Sequence, residues 1–225
     1  MIKIENTDVY GWEAAIRGMR NPMNSWDKSD SKFGFADDHS TFWMGENDLK
    51  LMKSLSKAGN DHGKFLRMIT VTVDITAPLY WWKEFDTYKV GTVANSCSTM
   101  HKLIEKEFEL EDFSFDHLTE GSLDQVARPL VNILNGARDA YINYDKYNEE
   151  DPEGWDNGIT CKKDIWWQMI QLLPSSYNQK RTVQLNYQVL KSIYFARINH
   201  KLDEWHTLCS WMEELPYFKE ICIQE

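Results

Sequence analysis

The alternation of apolar and polar residues is clearest between Met68 and Ile75. The apolar positions of this stretch are Ile69, Val71, Val73 and Ile75, and the polar ones are Thr70, Thr72 and Asp74. A period of two predicts a strand with one buried and one polar face, typical of an antiparallel sheet. Ala77-Pro78 is predicted to end this strand, and Leu79–Phe85 to begin a helix. Proline suits that helix start because it lacks the amide hydrogen that a first turn leaves unused.

The rest of the pattern predicts mainly helices. Leu49, Met52 and Leu55 are three residues apart, which is typical of an amphipathic helix over Glu46–Ala58. We also expect an edge strand and further helices, in the order Ile2–Val9 (strand), Trp12–Met19, Leu123–Tyr144, Ile165–Leu173, Val183–Asn199 and Leu202–Leu215. Loops are expected at Asn24–Thr41, where the loop would be mobile, and at Asn148–Gly158. This order predicts an α+β fold, a small antiparallel sheet covered by several helices, in a single domain over residues 1–225.

Charge and hydropathy narrow the class of partner. The net charge of −10 over 225 residues argues against a nucleic-acid polymer, which needs a basic face. A single phosphate group can still bind a local cluster of donors. No apolar run approaches the ~20 residues that a membrane span needs, and the first residues do not read as a signal peptide. We therefore expect a cytoplasmic protein that does not bind membranes.

The four cysteines form no CxxC pair and no metal-binding spacing. Free, buried thiols in a reducing compartment are the expected state. The same interpretation is preferred for Cys97, because nothing in the sequence supplies a base to activate it. His39 has Asp37 and Asp38 beside it, but three neighbours on a loop make a poor metal site, so no metal is predicted.

Two motifs carry the candidate chemistry. The first runs from Ala77-Pro78 through an aromatic helix to Thr87-Tyr88-Lys89 and, seven residues later, Cys97. The second is Leu173-Pro174, with Asn186 twelve residues after the proline and Arg197 eleven residues after Asn186. Eleven residues is close to three helical turns, so Asn186 and Arg197 are expected on one helix face. A helix-surface arginine in an ordinary ion pair is the alternative for Arg197.

Together these motifs resemble the flavin-dependent thymidylate synthase family. That family has a strand, Ala-Pro, an aromatic helix, an Arg-His-Arg triplet and, seven residues on, a serine; it also has Leu-Pro, Asn and Arg at the spacings of the second motif. The present chain departs from the family at the polar positions. Thr87-Tyr88-Lys89 replaces the triplet, Lys83-Glu84 replaces Arg-Gln, Ala94-Asn95 replaces Asn-Glu, and Cys97 replaces the serine.

The resemblance implies an activity and a set of site residues. The activity is the reductive methylation of dUMP to dTMP, with methylenetetrahydrofolate, FAD and NADPH, in a homotetramer. The implied catalytic residue is Arg197, whose fixed cation would stabilise negative charge on the activated uracil. The residues implied to contact the flavin are Asn186, Tyr88, Lys89, Asn95 and Arg67. Those implied to hold the substrate are Lys83, Glu84, Cys97, Ser98 and Gln188.

Two alternatives remain open at this point. The first is a divergent relative that kept the scaffold and binds a nucleotide or a flavin, but no longer methylates. The altered triplet favours it, whereas the retained Asn186 and Arg197 favour the synthase. The second is an acidic interaction protein without a small ligand, since a fold alone does not guarantee a function. Arg67 illustrates the choice, because it is either a contact for a flavin phosphate or a solvated charge.

Overall fold

The computed structural model describes residues 2–36, 39–98, 103–152, 154–155 and 158–224. The strands are β1 Lys3–Tyr10, β2 Lys32–Ala36, β3 His39–Trp43, β4 Thr70–Pro78, β5 Val93–Ser96 and β6 Asn178–Asn186. The helices are α1 Trp12–Arg20, α2 Glu46–Lys57, α3 Leu79–Phe85, α4 Glu120–Ser122, α5 Arg128–Ile142, α6 Tyr144–Glu150, α7 Lys162–Leu172, α8 Tyr187–Arg197 and α9 Asp203–Glu214. One sheet has the order β1-β4-β6-β5, and β2 pairs with β3 in a second, antiparallel sheet. The predicted α+β class is confirmed.

The chain divides into two compact units. The first contains Thr76–Glu84 and Ser96–Lys180, and the second contains Ile2–Ile75, Phe85–Asn95 and Arg181–Glu225. The chain therefore passes from one unit to the other within β4, at the end of α3, and within β5 and β6.

Helices α5 and α7 supply the core of the first unit. Its fully buried centre is formed by Leu134 and Met169, and the same apolar cluster includes Leu103, Phe108, Phe113 and Val131. The side-chain amide of Asn135 on α5 accepts a hydrogen bond from Phe108 N at 2.8 Å and donates one to Phe108 O at 2.9 Å. This reciprocal pair satisfies the backbone groups of an irregular segment where it packs on the helix.

Strand β4 confirms the alternation predicted from the sequence. Its residues are alternately buried and half-buried, and Val71, Val73 and Ile75 are at most 1% exposed. The predicted end of the strand is wrong, because β4 continues through Ala77 and Pro78. Proline is compatible with a strand where no ladder hydrogen bond needs its missing amide hydrogen, and α3 starts directly after it.

The segment Asn24–Thr41, predicted to be a mobile loop, instead contains strands. β2 and β3 form an antiparallel hairpin with Lys32 opposite Trp43 and Phe33 opposite Phe42. The rings of Phe33 and Phe42 stack at 5.0 Å, and aromatic cross-strand pairs of this kind stabilise a hairpin. Asp37, Asp38 and the side chain of His39 lie outside the described residues.

The predicted helix Val183–Asn199 is wrong at its start. Residues 183–186 belong to β6, where buried Val183 and Leu185 alternate with exposed neighbours. The helix begins only at Tyr187, and Asn186 caps it by accepting a hydrogen bond from Val189 N at 3.1 Å. Asn186 therefore precedes α8, and the expectation that it shares a helix face with Arg197 is also wrong.

The other boundaries differ less from the sequence predictions. The predicted helix from Leu123 opens with a π turn over Leu123–Ala127, and helix α6 extends to Glu150, into the predicted loop. The predicted strand at Ile2–Val9 and the predicted helices that correspond to α1, α2, α7 and α9 are confirmed to within three residues at each end. No described helix is long and apolar enough to cross a membrane.

A buried ion pair joins α1 to α2 in the second unit. Nε and Nη2 of Arg20 lie 2.7 and 2.6 Å from Oδ1 of Asp48, and the two residues are 4% and 0% exposed. The other carboxylate oxygen accepts hydrogen bonds from Ser29 Oγ at 2.8 Å and from Ser31 N at 2.9 Å. Burial alone would raise the pKa of Asp48, but the hydrogen bonds from Ser31, Ser29 and Arg20 outweigh it and lower that pKa.

The cysteines fall into two classes, which corrects the expectation that all are buried. Cys209 and Cys222 are buried, but Cys97 and Cys161 are exposed. Cys97 is exposed because it directly follows β5, an edge strand of its sheet whose residues are all exposed. Burial raises the pKa of the Cys209 thiol to about 11 and that of Cys222 to about 12.

A thiol reagent is therefore expected to modify two cysteines per chain in the native protein at pH 8, and four after unfolding in guanidinium chloride. The thiolate is the reactive form, and burial suppresses it at Cys209 and Cys222. The count of released chromophore per chain measures this. Cys97→Ser should lower the native count by one, and rapid modification of all four native thiols would contradict the assignment.

Candidate functional site

The segment that joins α3 to β5 forms one wall of a cleft in the second unit. The cleft has a volume of about 550 Å³, within the range of roughly 300–1,000 Å³ that is usual for small-molecule sites. It is lined by Asn60, Arg67, Thr87, Tyr88, Lys89, Val90, Gly91, Asn186, Gln188, Val189 and Ser192. Five residues that the family resemblance implies for binding the flavin or the substrate lie together here: Arg67, Tyr88, Lys89, Asn186 and Gln188.

Gly91 allows the wall to approach the start of α8. Its φ of +77° is a left-handed conformation that side chains with a Cβ disfavour. A Cβ at this position would lie 3.1 Å from Val189 Cγ2 and 3.2 Å from Asn186 Nδ2. The turn therefore favours glycine, and a Cβ here would also press on the side chains of Val189 and Asn186 at the start of α8.

The charge of the cleft favours an anionic ligand. Arg67 and Lys89 bring two exposed cations to it, and Asn60, Asn186, Gln188 and Ser192 add amide and hydroxyl groups. Among the described residues that line the cleft, none carries a carboxylate. On a chain with a net charge of −10, such a local grouping of donors is suited to a phosphate or another anionic group.

The polar side chains at the start of α8 are held in place. Gln188 donates a hydrogen bond to Asn60 Oδ1 at 3.3 Å, and Ser192 Oγ donates to Gln188 O at 3.0 Å. Because Asn186 caps α8, its side-chain oxygen Oδ1 points toward Val189 N. The side-chain nitrogen Nδ2 of Asn186 then lies beside Gly91. These contacts give the polar floor of the cleft a defined geometry.

Arg197 is held in a cluster of aromatic rings. Its Nε donates a hydrogen bond to Tyr88 Oη at 2.8 Å, and its guanidinium carbon lies 4.6 Å from the ring centroid of Trp205. The Trp205 side chain is fully buried and stacks on Phe85 with a centroid distance of 6.4 Å. Arg197 is half-buried, and its hydrogen-bond partner Tyr88 also lines the cleft. Stacking on an aromatic face strengthens as the cation loses water.

The remaining proposed site residues lie elsewhere. Asn95 is exposed on β5 and is not one of the lining residues. Lys83, Glu84, Cys97 and Ser98 belong to the first unit. There the backbone of Cys97 donates to Lys180 O at 3.0 Å and accepts from Gln179 Nε2 at 2.9 Å, so this segment is tied to β6.

Several lining residues were not predicted from the sequence. Ser192 follows Gln188 by four residues, one helical turn, so a correct start for α8 would have placed it on the same face. Gly91 lies in Val90-Gly91-Thr92, directly after Thr87-Tyr88-Lys89, and a glycine at this place in the sequence indicates a turn beside the site. Asn60 carries none, because its position depends on a contact with Gln188, 128 residues away.

Comparison with known proteins gives a match in structure but not in sequence. No protein-family model and no curated protein matches the chain. A crystal structure of the flavin-dependent thymidylate synthase ThyX from Helicobacter pylori, complexed with FAD and dUMP, is similar with a TM-score of 0.63 and 19% identity, covering 98% of this chain and 99% of that chain. A second structure of Helicobacter pylori ThyX with FAD and dUMP gives a TM-score of 0.60 and 17% identity, covering 99% and 97%. This chain therefore has the fold of the flavin-dependent thymidylate synthase ThyX.

Proposed function

We propose that this protein binds FAD in the cleft and a dUMP-like nucleotide at Arg197, as a thymidylate synthase that reductively methylates dUMP. The observation that carries the proposal is the assembly of Arg67, Lys89 and Asn186 around one cleft, with Arg197 fixed behind Tyr88. The likeness to structures of ThyX with FAD and dUMP supports it. By the same resemblance we propose methylenetetrahydrofolate and NADPH as co-substrates, a homotetramer, and one functional domain over residues 1–225.

The residues of the cleft fit an anionic cofactor. Arg67 and Lys89 would hold the diphosphate of FAD, since cations and N–H donors bind phosphate oxygens through strong, short hydrogen bonds. The amide groups of Asn186 and Gln188 would hydrogen-bond the polar edge of the flavin ring. A bound flavin supplies hydride transfer, and the protein contributes position and electrostatics.

Arg197 would act on the pyrimidine. A guanidinium has five donors and no acceptor, so it recognises carbonyl oxygens and cannot remove a proton. Its fixed positive charge would stabilise negative charge that develops on the uracil ring during the reaction. Because Tyr88 and Trp205 hold it beforehand, little reorganisation is needed at that moment.

Retention of flavin tests the cofactor proposal. We expect the protein, mixed with FAD and then desalted, to keep about one flavin per chain by its absorption spectrum. The double variant Arg67→Ala, Lys89→Ala should bind FAD at least about tenfold more weakly, since hydrogen bonds to charged groups contribute roughly 1.5–3 kcal/mol each. Lys57→Ala, which removes an exposed cation of α2, is the matched control and should bind normally. A colourless wild-type protein that cannot be reconstituted would instead favour an interaction protein without a small ligand.

A second candidate is a relative that binds these ligands without methylating. The observation that favours it is the altered polar set, with Thr87-Tyr88-Lys89 in place of the family triplet and Asn95 in place of a glutamate. The two candidates differ in one assay. Formation of dTMP from dUMP, methylenetetrahydrofolate and NADPH supports the synthase, whereas nucleotide and flavin binding without any dTMP supports the non-methylating relative.

A further inference from the structure

Tyr88 is the residue that connects Arg197 to the cleft. Its phenol oxygen accepts a hydrogen bond from Arg197 Nε at 2.8 Å, and its ring centroid lies 5.5 Å from the guanidinium carbon. The same side chain lines the cleft in which Lys89 and Asn186 also lie. Tyr88 therefore touches both the cation and the space that a ligand would occupy.

The aromatic cluster limits the orientations that Arg197 can adopt. Tyr88 packs edge-on against Trp205 at 6.1 Å and against Phe85 at 6.4 Å, and the last two rings are buried. His200 also packs edge-on against Trp205 at 6.1 Å. A free arginine side chain has many rotamers, which it must give up when it binds a ligand. Arg197, held by the rings of Tyr88 and Trp205 and by one hydrogen bond, has already lost most of these rotamers before a ligand binds.

The contacts described for Tyr88 and Trp205 preserve the charge of Arg197. A phenol oxygen is an uncharged acceptor, and the faces of the two rings attract a cation without neutralising it. A carboxylate in the place of Tyr88 would also orient the guanidinium. It would, however, neutralise much of the positive charge that is proposed to stabilise negative charge on the activated uracil. The phenol thus orients Arg197 without itself neutralising the positive charge.

We propose that Tyr88 is a positioning residue for Arg197, and that its hydroxyl fixes the guanidinium in the orientation that meets a pyrimidine carbonyl. This inference rests on the proposed function. It gives Tyr88 a role at the nucleotide site in addition to its predicted contact with the flavin.

Tyr88→Phe tests the role because it removes only the hydroxyl. By isothermal titration calorimetry with dUMP, we expect the dissociation constant to rise about tenfold, the effect of losing one well-placed hydrogen bond. The native circular dichroism spectrum should persist, since the ring stays in the cluster. Tyr10→Phe, the same deletion on a ring that is 54% exposed, is the matched control and should not change dUMP binding.

A double-mutant cycle separates positioning from direct contact. If Tyr88 acts through Arg197, Tyr88→Phe has no further effect on dUMP binding in an Arg197→Ala background. Equal losses in both backgrounds would show that Tyr88 contacts the nucleotide independently, and would overturn the positioning role. Unchanged binding by Tyr88→Phe alone would also overturn it while leaving the proposed function intact. A wild-type protein that does not bind dUMP would overturn the proposed function, and this inference with it.

Discussion

Asp48→Asn is expected to lower the free energy of unfolding by about 3–5 kcal/mol, the usual cost of removing one partner from a buried ion pair. Arg20 is 4% exposed, so the substitution leaves its charge buried without the carboxylate that compensates it. The hydrogen bonds from Ser29 and Ser31 would also lose their charged acceptor. Chemical denaturation measured by circular dichroism gives the difference.

Two controls make this test specific. Asp27→Asn removes a carboxylate at an exposed position between α1 and β2 and should change stability by less than about 0.5 kcal/mol. Replacing the pair together, Arg20→Met with Asp48→Leu, should cost less than Asp48→Asn alone, because no charge is left buried. Equal stability of Asp48→Asn and Asp27→Asn would show that the pair does not hold α1 to α2.

The pH dependence of stability has a defined sign. The folded-state pKa of Asp48 lies below its ordinary value of 3.8, so the folded state holds this proton less tightly than the unfolded state. The contribution of Asp48 is therefore complete above about pH 4 to 5 and is lost as the pH falls through the folded-state pKa. Asp48→Asn should flatten this part of the acid denaturation curve.

Arg197→Ala should raise the dissociation constant of dUMP about 10- to 100-fold while the fold persists. The expected loss, roughly 1.5–3 kcal/mol, is that of hydrogen bonds made by a charged group. Circular dichroism should show the native spectrum, because Trp205 and Phe85 still stack on each other. Titration calorimetry of the wild type and the variant with dUMP gives the ratio of the two constants.

Arg197→Lys separates the effect of the positive charge from that of the guanidinium geometry. Lysine keeps the positive charge but loses the planar group that stacks on Trp205 and the Nε that bonds to Tyr88. We expect its affinity for dUMP to lie between those of the wild type and Arg197→Ala. If Arg197→Ala binds dUMP as tightly as the wild type, Arg197 is not part of a pyrimidine site.

The sequence was most informative where one period dominates a segment. β4 is predicted well because a strand with one buried face must alternate strictly. β6 and α8 are predicted poorly because the end of the strand, at Val183–Leu185, leads directly into an apolar helix, with only the capping residue Asn186 before the helix begins. Four alternating residues followed by a helical pattern fit one longer helix almost as well, and only the cap made by Asn186 marks the change.

The sequence indicated which residues belong to the candidate site better than it indicated how they are arranged. The spacing of Asn186 and Arg197 singled out two residues of the candidate site for a wrong reason, since no shared helix face brings them together. They are linked instead through the segment that holds Tyr88, which contacts Arg197 and lines the cleft beside Asn186. Contacts between residues about 100 positions apart, or between Arg20 and Asp48, depend on tertiary packing that local patterns do not encode.

The most direct test of the central claim is whether dUMP changes the visible absorption spectrum of FAD bound to this protein. If the flavin occupies the cleft and the pyrimidine meets Arg197 beside it, dUMP should perturb the flavin band and saturate at one nucleotide per chain. The perturbation should be lost in Arg197→Ala, although that variant still holds FAD. A flavin spectrum that does not respond to saturating dUMP, or a protein that retains no flavin, would contradict the account.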